Sequence, residues 1–216
     1  MGRALLLLLL VITLFVKPTE AGADEPPLPV RRIGLQKTDD SLYVTFSYRD
    51  AFTKEVHKKL SSGLTTSVVV QLTVERKGVK RPLMFWARTV EVTYDLWEEQ
   101  FLVVREDDTG RKRAKVVSRR EAIDLSGILK RTAIGRIPEM PPGLYRVHAR
   151  IETNPVSREM VEKIRTWLAS TRAKKRGNIA TSNYFGSFVG ALVDRQISQA
   201  EHVIEFVSQW FRLRGR

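Results

Sequence analysis

Leu64-Thr65-Thr66-Ser67-Val68-Val69-Val70-Gln71-Leu72-Thr73-Val74-Glu75 is the stretch whose reading decides the fold. Leu64, Thr66, Val68, Val70, Leu72 and Val74 fall on one side of it; Thr65, Ser67, Gln71, Thr73 and Glu75 fall on the other. Successive side chains of a strand point to opposite faces, so a period of two marks a half-buried strand. The same alternation runs through Leu42, Val44, Phe46 and Tyr48, against Thr45 and Ser47. It returns at Trp86, Val90, Val92 and Tyr94, and again at Tyr145, Val147, Ala149 and Ile151, against Arg146, His148, Arg150 and Glu152. Clean apolar/polar alternation predicts an antiparallel sheet with one covered face. Trp97 to Arg105 and Lys112 to Val117 read as two more strands, joined by the turn chemistry of Asp107-Asp108-Thr109-Gly110. Arg32 to Lys37 is a weaker strand.

Between the strands the period lengthens. Asp50 can cap a helix over Ala51 to Ser62, where Phe52, Val56 and Leu60 align and Gly63 suits the left-handed C-terminal position. Ser118-Arg119-Arg120-Glu121 is a capping box opening a helix with Ala122, Leu125, Ile128 and Leu129 on one face. Ser157 opens a third, with Met160, Val161, Ile164, Trp167 and Leu168 together. Ile134 to Gly143 carries Pro138, Pro141 and Pro142, so no regular element is expected to cross it. Phe185 to Val193 fits a short helix. Ile197 to Phe211 has a helical period, while Val203 to Arg212 is rich in β-branched and aromatic residues and fits a strand. The expected class is α+β: a largely antiparallel sheet of about six or seven strands with helices packed on one face. The four tryptophans, Trp86, Trp97, Trp167 and Trp210, read as core; Trp210, beside a basic tail, alternatively suits a membrane interface.

The N-terminus reads as a targeting segment. Ala4 to Val16 is apolar except for Thr13, a run of 13 residues behind Arg3. A helix spanning a bilayer needs roughly 20 residues. Lys17, Pro18 and Glu20 end the run, and Ala21-Gly22-Ala23 is the small-x-small pattern of a signal-peptide cleavage site. The expected organisation is a signal peptide over 1–23, a Pro-rich tether over 24–30 and a sheet domain over 31–171. A basic linker and C-terminal extension, 172–216, is expected to pack on that same domain. The alternative is an uncleaved segment anchoring the protein to the inner membrane.

Across its 216 residues the chain carries 37 Lys and Arg against 24 Asp and Glu, a formal net charge of +13. Residues 1–23 hold two of the basic residues and one acidic residue, so cleavage leaves +12. The sequence contains no cysteine, which excludes thiol catalysis, cysteine-ligated zinc and disulfide scaffolds. His57, His148 and His202 are scattered, and none has a second histidine at metal-ligand spacing. Gly186-Ser187-Phe188-Val189-Gly190 lacks the glycine spacing of a nucleophile elbow. Glu98 and Glu99, adjacent on an expected strand, would face opposite ways. No catalytic residue, metal or cofactor is assigned.

The clearest pattern is basic. Arg111, Lys112, Arg113, Lys115, Arg119 and Arg120 form one group; Arg172, Lys174, Lys175 and Arg176 form a second. On an exported chain such groups are expected to face an anionic partner. Lipid headgroups or an envelope polymer suit that role better than nucleic acid, from which export separates the chain.

The order of elements resembles DUF4390, a bacterial family of unknown function whose members are exported proteins of Gram-negative bacteria. The matching pieces are Leu42 to Arg49, the segment Leu60-Ser61-Ser62-Gly63-Leu64, the strand ending Glu75-Arg76, and Phe85-Trp86. Further on come Arg120-Glu121-Ala122, Gly143-Leu144-Tyr145-Arg146-Val147, Asn154-Pro155-Val156-Ser157 with Trp167, Phe185-Gly186-Ser187-Phe188-Val189, and Ser208-Gln209 with Phe211. The resemblance implies export, the sheet fold, and a strand rather than a helix for Val203 to Arg212. It transfers no catalytic residue. The expected function is a non-enzymatic binding or assembly module of the periplasm, facing an envelope protein, an anionic envelope polymer or a lipid surface. A carrier of an apolar ligand held between sheet and helices, and an envelope hydrolase, are the alternatives.

Overall fold

A computed structural model describes residues 27–155 and 200–214, together with positions 166 and 169. Among the described residues ten strands form two sheets, with two α-helices. The strands are β1 (Gly34–Lys37), β2 (Ser41–Ser47), β3 (Thr66–Arg76), β4 (Met84–Asp95), β5 (Gln100–Asp107), β6 (Gly110–Val116), β7 (Ile128–Arg136), β8 (Gly143–Pro155), β9 (Ala200–Val207) and β10 (Phe211–Leu213). The helices are α1 (Lys54–Leu60) and α2 (Arg119–Ser126).

The larger sheet has seven strands, ordered β10-β8-β3-β4-β5-β6, with β9 also pairing along β8. Every pairing between named strands in it is antiparallel. The stretch opening at Leu64 becomes its central strand, β3, flanked in full register by β4 and β8. The smaller sheet is β1-β2-β7. Its Leu42, Val44 and Phe46 share one core with Val68, Val70, Leu72 and Val74 of β3 and with Val56, Leu60, Ala122 and Ile123 of the helices. Fully interleaved apolar side chains of this kind are the main favourable term in folding.

The architecture is mostly antiparallel β, and several expectations need correction. One sheet was expected and there are two, because the segment from Ile128 leaves the helix. α2 stops at Ser126, and Ile128 and Leu129 begin β7 and pair with β2 rather than extending the helical face. β7 runs on to Arg136, and a 3-10 turn over Ile137–Glu139 occupies the proline segment expected to be irregular. The first helix begins later than Asp50. A 3-10 turn covers Arg49–Ala51, and Thr53 is the N-cap, its hydroxyl accepting from the Val56 N–H at 3.5 Å. The sheet's second face is covered as well along mid-β3, where Val69, Gln71 and Thr73 are buried.

Trp86 is in the core, but Trp97 is 96% exposed and Trp210 is 44% exposed. Glu98 and Glu99 lie in the β4–β5 turn, not on a strand, and Glu99 has φ 51°. Val203 to Arg212 is strand, interrupted over 208–210. Gly63 has the left-handed φ, 77°, that its place after α1 demands. The helix opened by Ser157 lies outside the described residues apart from positions 166 and 169, which are helical; Phe185 to Val193 lies outside them entirely. No helix among the described residues is long and apolar enough to cross a membrane, a statement that reaches neither residues 1–26 nor 156–199.

Candidate functional site

The structure divides the predicted basic group in two. Arg111, Lys112, Arg113 and Lys115 are on β6, the edge strand. Register places Arg111, Arg113 and Lys115 on the face that carries Glu106, Val104 and Leu102. Lys112 is on the other face, opposite Arg105. Arg111 reaches Glu91 at 3.9 Å, and Lys115 pairs with Glu98 of the β4–β5 turn. Arg119 and Arg120 start α2, whose Ala122 and Ile123 are buried in the core between sheet and helices. Arg172, Lys174, Lys175 and Arg176 lie outside the described residues.

Arg119 and Arg120 help to line a groove of about 570 Å³ with Arg49, His57, Ile123 and Asp124. That volume falls in the range of roughly 300–1,000 Å³ usual for small-ligand sites. Local structure places each wall. Ser118 caps α2, its hydroxyl accepting from the Glu121 N–H at 3.1 Å. The helix ends where the Gly127 carbonyl accepts from the Tyr48 N–H at 2.8 Å, and the Tyr48 hydroxyl donates to the Ser126 carbonyl. Those two bonds fix the 3-10 turn against the end of α2. Arg49 is thereby set beside Asp124, Nε to Oδ1 2.7 Å. Full burial pushes the Tyr48 hydroxyl up to about 12, so it stays a donor at any ordinary pH. On the other wall, Arg119 Nη2 donates to the Ser61 hydroxyl at 2.8 Å and ties α2 to the end of α1.

Charge in this groove is unbalanced. Among the described residues the one carboxylate lining it, Asp124, is engaged by Arg49, and the bond that Arg119 makes goes to a neutral hydroxyl. Arg120 has no ion pair among the described residues. Two arginines in the first turn of a helix also oppose its dipole, which favours anions there. Helix stability does not account for them.

A second polar group draws its members from three strands, and only the share that alternates along β8 was legible in the sequence. On the outer face of β3 and β8, the Glu75 carboxylate accepts from Arg146 Nε at 2.7 Å, and His148 Nδ1 lies 3.5 Å away. The His148 contact, with Arg146 and against burial, holds the Glu75 carboxyl below the usual glutamate value. His148 thus meets an anion as well as its flanking arginines. Beyond it Arg150 donates to Glu152 at 2.6 Å and to Glu205. Gln71 Nε2, His148 Nε2 and Glu152 Oε2 are buried with no hydrogen-bond partner among the described residues. A carboxylate–imidazole pair with a free Nε2 has the order of a general base. The residue opposite His148 is Thr73, however, a buried threonine in mid-strand rather than a nucleophile at a cleft.

In comparisons with known proteins, residues 25–157 match the family model DUF4390, a domain of unknown function. No curated protein and no solved structure matches the chain.

Proposed function

The chain belongs to the DUF4390 family, and from that premise we propose that it is an exported, non-enzymatic binding module whose α1–α2 groove holds an anionic group of a cell-envelope component. The carrying observation is the groove's composition among the described residues: Arg49, His57, Arg119 and Arg120 around one carboxylate, Asp124, that is already paired. Arginine suits such a role because its planar donor fork matches phosphate and carboxylate. In this reading both helices lie on one face of the large sheet, and the groove is the space between them. The protein works in the periplasm after cleavage at Ala23; an uncleaved anchor would leave it facing the same compartment.

The two rival functions find less support. An apolar carrier needs space between sheet and helices, where Val56, Leu60, Val70, Val92 and Ala122 are fully buried against one another. A hydrolase needs a nucleophile or activated water in a cleft, and Glu75 with His148 sits part-buried on a sheet face opposite the buried Thr73.

The test is co-sedimentation of the mature chain with vesicles containing anionic lipid, and separately with peptidoglycan sacculi. Arg119→Gln/Arg120→Gln should bind less to one of the two while keeping the thermal transition. Equal binding by the double variant would remove the proposal. N-terminal sequencing of the periplasmic protein should begin at Asp24; an intact Met1 in the membrane fraction would favour the anchor.

A further inference from the structure

The seven-stranded sheet ends on an edge along which no further strand pairs among the described residues. β6 is the last strand in the order, and β5 is its only strand partner there. The two join through Asp108-Thr109, with Asp107 facing Gly110. A two-residue hairpin closes on a hydrogen-bonded pair, and bonded and non-bonded pairs then alternate. Gly110, Lys112, Ala114 and Val116 therefore exchange bonds with β5. The N–H and C=O groups of Arg111, Arg113 and Lys115 point away from the sheet. Unpaired groups along an exposed edge are a template for another strand.

The side chains specify which strand. Of the seven residues GRKRAKV, four are basic, and all four are exposed. Pairing with a second copy would set cations against cations, which is destabilising. Basic residues on an edge deter indiscriminate pairing in the same way, leaving acidic segments as the favoured partners. One end of β6 also offers an apolar anchor. Val116 faces Phe101, next to the β4–β5 turn, and the following Val117 is 72% exposed. Trp97, exposed in that turn, is kept near by the ion pair of the adjacent Glu98 with Lys115. Exposed tryptophans are among the residues that dominate binding energy once covered.

We infer that the β6 edge takes up an extended acidic segment of a partner protein as an added strand, with an apolar residue of that segment resting on Trp97 and Val117. Main-chain bonds would supply affinity and alternate side chains selectivity. This surface shares no residue with the α1–α2 groove, so either can fail without the other.

The experiment adds a synthetic peptide of alternating Glu and Val, ending in Leu, to the mature chain and follows backbone amide exchange. The amides of Arg111, Arg113 and Lys115 should slow several-fold, and the same peptide with Lys in place of Glu should leave them unchanged. Arg113→Pro removes an outward N–H that β5 does not use and should abolish the protection. Arg113→Glu keeps the backbone intact and should weaken binding of the acidic peptide, so a misfolded proline variant leaves the test standing. No protection at β6, equal protection by the Lys peptide, or undiminished binding by Arg113→Glu would overturn the inference. So would protection arising from self-association without peptide.

Discussion

Arg88 and Asp107 sit opposite each other on the inner face of the large sheet, with side chains only 12% and 10% exposed. Arg88 donates twice to Oδ2, at 3.0 and 2.7 Å, and its guanidinium lies 5.1 Å from the Trp86 ring centroid. Burial pushes the Asp107 carboxyl up, but bonds from Thr109 and the charge of Arg88 outweigh it and hold the group below its usual value. Removing one member of such a pair strands the other charge. Arg88→Met should therefore cost about 3–5 kcal/mol in urea unfolding, and Arg88→Met/Asp107→Leu should recover most of it. Glu75 sets a pH dependence of known sign. Its folded value is depressed, so its contribution is complete above the unfolded glutamate value and is lost as pH falls through the folded one. At pH 7 Glu75→Gln should cost about 1 kcal/mol. The gap to the unaltered protein should close as pH drops below about 4, as read by thermal melts across that range.

At the scale of elements, legibility followed how local the deciding interaction was. β2, β3, β4 and β8 were readable because each alternates on its own. β7 was not: Ile128-Leu129 continues the helical spacing from Leu125, and only pairing with β2 makes it a strand. Gly127 is the signal that separates them. A Cβ there would lie 3.0 Å from the Ile123 carbonyl and 3.2 Å from Arg49 Cα, so the helix end packs directly on the 3-10 turn. Gly127→Ala should lower stability by about 1–3 kcal/mol, measured by denaturant unfolding. It should also disturb the placing of Arg49 beside Asp124. The C-terminal strands were ambiguous by period alone, because Val203 to Phe211 satisfies both templates. The ladder with β8 decides the matter.

For the molecule as a whole, charge foretold a basic character but not its arrangement. Spacing along the chain joined Arg111 to Arg120 into one group. The turn from β6 into α2 instead leaves Arg111, Arg113 and Lys115 together on one face of the sheet and carries Arg119 and Arg120 onto the first turn of α2. Arg49 and His57, which complete the groove, come from a segment some sixty to seventy residues earlier, and nothing local marks them as its partners. The central claim is that this groove, rather than basic charge in general, engages an anion. Side-chain NMR signals of the arginines, followed while a soluble short-chain anionic phospholipid is added, test that most directly. Arg119 and Arg120 should shift first, and the effect should fade between 0.1 and 1 M salt as the screening length drops from about 10 to about 3 Å. Uniform shifts across Arg111, Arg113 and the remaining surface arginines, or shifts indifferent to salt, would contradict it.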